Sequence, residues 1–206
     1  MSEGDIVFDN DTFRAPGSNM TPTQLETAEM ARAGERSDLL NCEARTNLPA
    51  EFDPSGVHIA EVVIACNTGS SRVGRYPVVD DFDNLINPML AEWQNRGGVV
   101  QGAVQAVYER VGQDEDSRLL TASFIDYAVP QADDAPMIGF TSEPVPSTAN
   151  PMGMKGCDEA GAVGSMATVA NAVLDALWEP GVRQAAMPFT PNRVWEMVQN
   201  ESVTAQ

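Results

Sequence analysis

Strands and helices are both legible in this 206-residue sequence, and together they put it in the α+β class. Three observations predict this. Residues 57–65 are almost wholly apolar and β-branched, as in a strand buried on both faces. Asn67-Thr68-Gly69 and a second run at residues 72–79 follow, which is the layout of a hairpin. Further on, Met166, Val169, Ala170, Val173 and Leu177 recur at helical spacing and form one apolar face.

The other elements follow in chain order. Residues 6–8 and 12–14 read as short strands about a turn at 9–11. Thr21 precedes a helical stretch with Glu26 and Arg32 on its polar side, and residues 33–56 read as loop. Asn87-Pro88 supplies an N-cap and a first-turn proline for a helix. Gly97-Gly98 is expected to interrupt it, with a second helical segment at 99–110. A short strand is expected at 119–121, then proline-rich extended loop over 130–151 with one strand at 137–141. A glycine-rich loop feeds a helix predicted over 165–177, and Thr190-Pro191 caps a last helix running to Gln199.

Composition bounds the function. The length suffices for one domain with a real core or two small ones, and the apolar (43%) and charged (20%) fractions are those of a globular protein. The net charge of −18 disfavours a phosphate backbone as partner, so nucleic acid is not expected. Scattered acids read as a solvated surface. Cys42, Cys66 and Cys157 are odd in number, widely spaced and without a CxxC pair, which argues against a disulfide framework, a zinc site or iron–sulfur ligation. A single histidine, His58, excludes a His-rich metal centre. The acidic N-terminus lacks the pattern of a signal peptide, and no apolar run reaches membrane-spanning length. A cytoplasmic location is expected.

The stretch with the most chemistry is residues 150–164, NPMGMKGCDEAGAVG. Its glycines allow backbone to approach a ligand closely, and it ends at a helix N-terminus, where free N–H groups favour an anion. Lys155, Asp158 and Glu159 sit inside it. The spacing matches neither a phosphate-binding P-loop nor a dinucleotide fingerprint. On these residues alone, a tight connection, an anion-holding loop and a catalytic carboxylate all stay open.

The run NPMGMKGCDEAGAVGSMATVANAVLDAL resembles the C-terminal signature of molybdenum hydroxylase large subunits, approximately NPxGxKGxGEAGxxG before a helix. Upstream, VVDDFDNLINPMLAEWQNRGGVVQGAVQAVYE is similar to that family's VDDxGxxINPxxxxGQxxGGxxQGxGQAL. LLTASFIDYAVPQADDAP and the closing MPFTPNRVWEMV match further family segments, in the same order. The family is that of xanthine dehydrogenase, aldehyde oxidase and aerobic carbon monoxide dehydrogenase. The resemblance is specific over residues 57–198 and looser over 1–50.

The resemblance implies a mixed β-sheet with covering helices. It implies an N-terminal segment, 1–56, that starts the molybdopterin-binding portion, and a C-terminal portion, 57–206, bearing the catalytic glutamate. Molybdenum would be held by the pterin, the cytosine dinucleotide form in bacterial relatives, and by no protein side chain. Glu159 would be the catalytic base, taking a proton as the oxygen of water adds to an electron-poor carbon. A buried carboxylate suits that task, and a positioned base contributes roughly 10²–10⁴-fold. Gln101 would hydrogen-bond the pterin, a use for an amide that donates and accepts; without the resemblance it reads as a helix-surface residue. Lys155, Gly156, Cys157 and Asp158 would form the loop beside the cofactor, with Cys157 equally a small buried hydrophobe. His58 reads as a satisfied structural histidine, and Trp178 and Trp195 as core or interface anchors.

Substrates implied are aldehydes, N-heterocycles or carbon monoxide. Electrons would leave through iron–sulfur clusters and FAD on partner subunits, and a partner chain would supply the rest of the large subunit. A non-catalytic subunit that completes a partner's fold is the alternative. Three residues depart from the family pattern. Asp158 stands where glycine is usual, and Trp93 and Arg96 replace the usual Gly and His.

Overall fold

The computed structural model describes residues 6–41, 43, 45, 47 and 53–204, the side chains of 201–204 excepted. Cys42 and part of the 33–56 loop lie outside the described residues. The chain divides into two compact units, residues 1–47 and 48–206.

In the first unit, β1 (Val7–Asp9) pairs antiparallel with β2 (Thr12–Arg14), and the Phe8 and Phe13 rings meet tilted at 43° with centroids 4.8 Å apart. The helix α1 (Gln24–Ala33) starts at Thr23, whose hydroxyl accepts from the Glu26 N–H while the Glu26 carboxylate accepts from the Thr23 N–H. A short 3₁₀ turn covers Ser37–Leu40, inside the expected loop.

The second unit is built on β5 (Ser70–Asp81), the strand to which β3 (Ser55–His58), β4 (Glu61–Ala65) and β6 (Met137–Ser142) all pair. β3 and β4 run antiparallel to β5 and β6 runs parallel, so the sheet is mixed, as expected. The hairpin at 67–69 is present, with Gly69 at φ +72°.

The single strand expected at 57–65 is divided in two, though its register carries through: His58 opposes Val78 and Glu61 opposes Arg75. The break falls where Ile59 donates to the carbonyl of Pro77, which has no N–H to return. Nor is that segment buried on both faces. His58, Ala60, Val62 and Ile64 turn inward, while Val57 (62% exposed), Ile59 and Val63 (63%) face outward. The register with β4 shifts between Glu61 and Val62, leaving Gly74 of β5 as an extra residue. The buried positions accordingly change phase, from Ser71 and Val73 to Tyr76, Val78 and Asp80, so both halves face the core.

Helices cover the inner face. α2 (Pro88–Val107) is continuous, without the interruption expected at Gly97-Gly98. The reason is packing. A Cβ on Gly98 would lie 2.9 Å from the Ala162 nitrogen, and one on Gly102 would lie 2.5 Å from the Ala162 carbonyl oxygen. Gly98 and Gly102 therefore let the backbone of α3 (Ala160–Ala176) lie directly against α2. α3 begins five residues before the predicted Ser165, because the glycine-rich 161–164 stretch is already helical. The last helix, α4 (Pro191–Thr204), follows Thr190 as expected. The strand expected at 119–121 is absent; one bridge, Gln113 to Leu119, stands in its place. The core joins Tyr76 and Val78 with Val99, Ala103, Val169, Val173, Phe189 and Val194. Trp178 and Trp195 are not core residues; both are exposed, and Arg183 lies over the Trp178 ring at 4.0 Å.

Candidate functional site

Where β3, the end of β5 and the first turn of α3 meet, they enclose a cavity of about 600 Å³. Its wall includes Gly56, His58, Asp80, Gly156, Asp158 and Glu159. Glu159 is the residue immediately before α3, and its side chain caps none of the helix N–H groups. It is exposed, so the buried setting expected for it is not supplied by the described residues.

Beneath the cavity lies a polar network. Nε2 of His58 is 3.2 Å from Asp80 Oδ1, and Nδ1 is 2.8 Å from the Tyr76 hydroxyl. The arrangement that matches every donor to an acceptor has Nε2–H donating to the carboxylate and Nδ1 accepting from Tyr76. Asn95 of α2 donates to the other Asp80 oxygen. His58 therefore has the partners of a structural histidine. A Cβ on Gly164 would strike the His58 ring at 2.5 Å, so the network presses against α3. Burial pushes the Tyr76 hydroxyl well above its ordinary pKa; Thr168 opposes this and the Asp80 charge adds to it.

A second charged cluster anchors the loop. Lys155 lies 2.6 Å from Asp81 and 3.2 Å from Asp83. Asp158 therefore has no pairing with Lys155; it is exposed, and its backbone has no left-handed φ. Burial pushes Asp81 upward, but the Lys155 hydrogen bond and the N–H groups of Val145 and Asp83 outweigh it and hold the carboxyl at about 2. Lys155 is raised, chiefly by its hydrogen bond to Asp81. Cys157 is half-buried, and burial followed by the Asp158 charge pushes its thiol upward, away from thiolate chemistry.

Of the residues singled out in the sequence, Gly156, Asp158 and Glu159 come together on the cavity wall. Gln101 does not line the cavity; it lies exposed on α2. Gln94, about two turns earlier on α2, instead donates 3.0 Å to the Asp158 carbonyl and ties α2 to the loop. Arg96 pairs with Glu92 and donates to the Ile138 carbonyl of β6, so this departure from the family pattern fastens α2 to the sheet, while Trp93 is exposed. The Tyr76–His58–Asp80–Asn95 network has no signature in the sequence. Its only trace was a pair of acids, Asp80-Asp81, at the end of an apolar strand.

A carboxylate at a helix N-terminus, on the rim of a glycine-lined cavity, is the layout of a small-molecule or cofactor-binding domain. The sequence profile of the molybdopterin cofactor-binding domain matches residues 1–136, and the chain belongs to this family, that of the molybdenum hydroxylase large subunits. It is 33% identical over 201 residues to the 6-hydroxypseudooxynicotine dehydrogenase complex subunit gamma of Paenarthrobacter nicotinovorans, covering 95% of this chain and 25% of that one. It is 34% identical over 210 residues to the carbon monoxide dehydrogenase large chain of Hydrogenophaga pseudoflava, covering 98% and 26%. The fold superposes on the reconstituted CO dehydrogenase from Oligotropha carboxidovorans with a TM-score of 0.78 at 28% identity, over 98% of this chain and 26% of that one. The chain thus spans about a quarter of the length of the curated relatives it matches. Among the described residues no helix is long and apolar enough to cross a membrane.

Proposed function

We propose that this chain forms one wall of a molybdopterin site in a molybdenum hydroxylase complex, with Glu159 as the catalytic base and a partner chain supplying the other walls. The observation that carries this is Glu159 standing with Gly156 and Asp158 at the cavity where α3 begins. The residues present fit one side of such a cofactor. Nothing lies within 4 Å of a Cβ built on Gly156, so the backbone there is open to close approach.

When bound, the molybdenum cofactor supplies the two-electron redox chemistry. This chain's residues do the rest of what falls on its side. The Glu159 carboxylate accepts a proton as an oxygen derived from water adds to an aldehyde, an N-heterocycle or carbon monoxide. Gly156, Cys157 and Asp158 face the cofactor through the loop, Lys155 holds that loop, and Gln101 offers an amide from α2. The cofactor is the cytosine dinucleotide form, and the electrons leave through iron–sulfur clusters and FAD on further subunits of a cytoplasmic complex. Support for a partner comes from the outer face of the sheet. Val57 and Val79 oppose each other there, exposed, with Ile59 and Val63 beside them. These exposed apolar side chains, with the charged pair Glu61–Arg75 between Ile59 and Val63, suit an interaction surface of mixed polarity.

One observation favours the alternative of a structural subunit: Gln101 stands outside the cavity. The test of the leading reading is purification of the complex through this chain, with molybdenum and pterin quantified. Near-stoichiometric metal with a larger partner chain is expected; a complex without molybdenum contradicts the proposal.

A further inference from the structure

Lys155 is held on three sides, by hydrogen bonds to Asp81 and the Val145 carbonyl and by an ion pair with Asp83. An ammonium carries three N–H groups. Nζ lies 2.6 Å from Asp81 Oδ2, 3.2 Å from Asp83 Oδ1 and 3.3 Å from the Val145 carbonyl, and the side chain is only 13% exposed. The same carboxylates gather the backbone around them. Asp81 Oδ1 accepts from the N–H groups of Val145 (2.9 Å) and Asp83 (3.1 Å), and Asp83 Oδ2 accepts from Ser147 (2.7 Å). Asn84 completes the tie: its N–H donates to the Gly153 carbonyl at 3.1 Å, and its Nδ2 donates to Met152 at 2.9 Å. Three segments, 81–84, 145–147 and 152–155, therefore converge on one ammonium. Two carboxylates share that ammonium, and Asp83 is fully buried. Removing the cation leaves two buried like charges facing each other, the costly case for a buried ion pair.

We propose that Lys155 is a positioning residue: with Asp81 and Asp83 it clamps the loop to the end of β5, and so fixes where the chain enters α3 and where Glu159 stands. Only three residues separate Lys155 from that carboxylate, and the hydrogen bond from Gln94 to the Asp158 carbonyl holds their far end. The proposal rests on the reading of Glu159 as the base, and it assigns Lys155 an indirect role.

The test uses the intact complex carrying Lys155→Met or Lys155→Arg. Amide hydrogen exchange over residues 153–160, molybdenum content and turnover of an aldehyde or N-heterocycle found by screening are measured. Lys155→Met is expected to speed exchange roughly tenfold or more and to lower kcat by a similar factor, with KM and molybdenum content little changed. Lys155→Arg, which keeps the cation, is expected to restore most of the protection and turnover. Unchanged exchange overturns the clamp. Loss of molybdenum with exchange unchanged makes Lys155 a direct ligand instead. Faster exchange with kcat intact refutes the positioning role and leaves the reading of Glu159 standing, because that reading fails only if Glu159→Gln retains turnover. Should Lys155→Met fail to assemble, Asp83→Asn keeps the Asp81 pair. A smaller rise in exchange and a smaller fall in kcat are then expected, and no change in either overturns the proposal.

Discussion

Gly161→Ala probes the contact on which the site is mounted. Gly161 lies two residues after Glu159, and a Cβ there would meet the Asn95 carbonyl oxygen at 2.3 Å and the Val99 nitrogen at 2.9 Å. Both are backbone atoms of α2, which no rotamer change can move aside. The first turn of α3 must shift by about 1 Å to reach ordinary contact, and overpacking of this kind costs about 1–3 kcal/mol. Replacing a helical glycine returns up to ~1 kcal/mol. The net loss is about 1 kcal/mol, a fall of about 2–4 °C in thermal midpoint for a chain of this size. Gly97→Ala is the control. It lies in the same helix, with nothing within 4 Å of its Cβ, and only the helix-propensity gain of up to ~1 kcal/mol applies. Thermal unfolding of the two variants beside the parent should therefore give shifts of opposite sign. A Gly161→Ala protein as stable as the parent, or more so, would refute the reasoning that the helix backbones touch at this point.

Two further outcomes follow from the charges and the sheet. Asp81 is held at about 2, below its ordinary 3.8, so the stability its pairing contributes is present above the ordinary value and is lost as pH falls through 2. Lys155 is raised above 10.5, so its share is present below that pH and is lost only at higher pH. The stability gap between parent and Asp81→Asn, measured by urea titration, should thus be constant from pH 5 to 9 and should narrow between pH 4 and 2, within that linkage; a gap independent of pH down to 2 is the contrary result. Val63→Asp sits on the outward face of β4, so the chain's own stability should change by no more than about 0.5 kcal/mol while capture of a partner is lost; assembly at parental yield would remove the sheet face from the proposed interface.

The sheet and its helices were legible in the sequence because their signals are local. Strand β5 shows its alternation, the hairpin its Gly69 turn, and α2 its Asn87-Pro88 start. What a segment packs against, or fails to pack against, is not a local signal. Gly97-Gly98 looks like a helix break until α3 is seen lying on Gly98. Residues 57–65 look buried on both faces, and the described residues cover only one. Leu119 and Leu120 look like a strand but find no second strand, and both remain exposed. At the site, the loop and Glu159 could be found from glycine spacing and family resemblance. The partners of Lys155 could not, since Asp81 and Asp83 lie more than seventy residues away along the chain. His58 reads as structural from the sequence, and only the fold supplies its partners, Tyr76 and Asp80.

The central claim is that this chain brings the base to a molybdenum site, and Glu159→Gln in the purified complex tests it most directly. Glu159 is exposed and makes no capping bond, so the substitution should leave assembly and molybdenum content intact. Turnover should fall roughly 10²–10⁴-fold, the contribution of a positioned base. Parental turnover at normal molybdenum content would contradict the account and leave the chain a structural part of its complex.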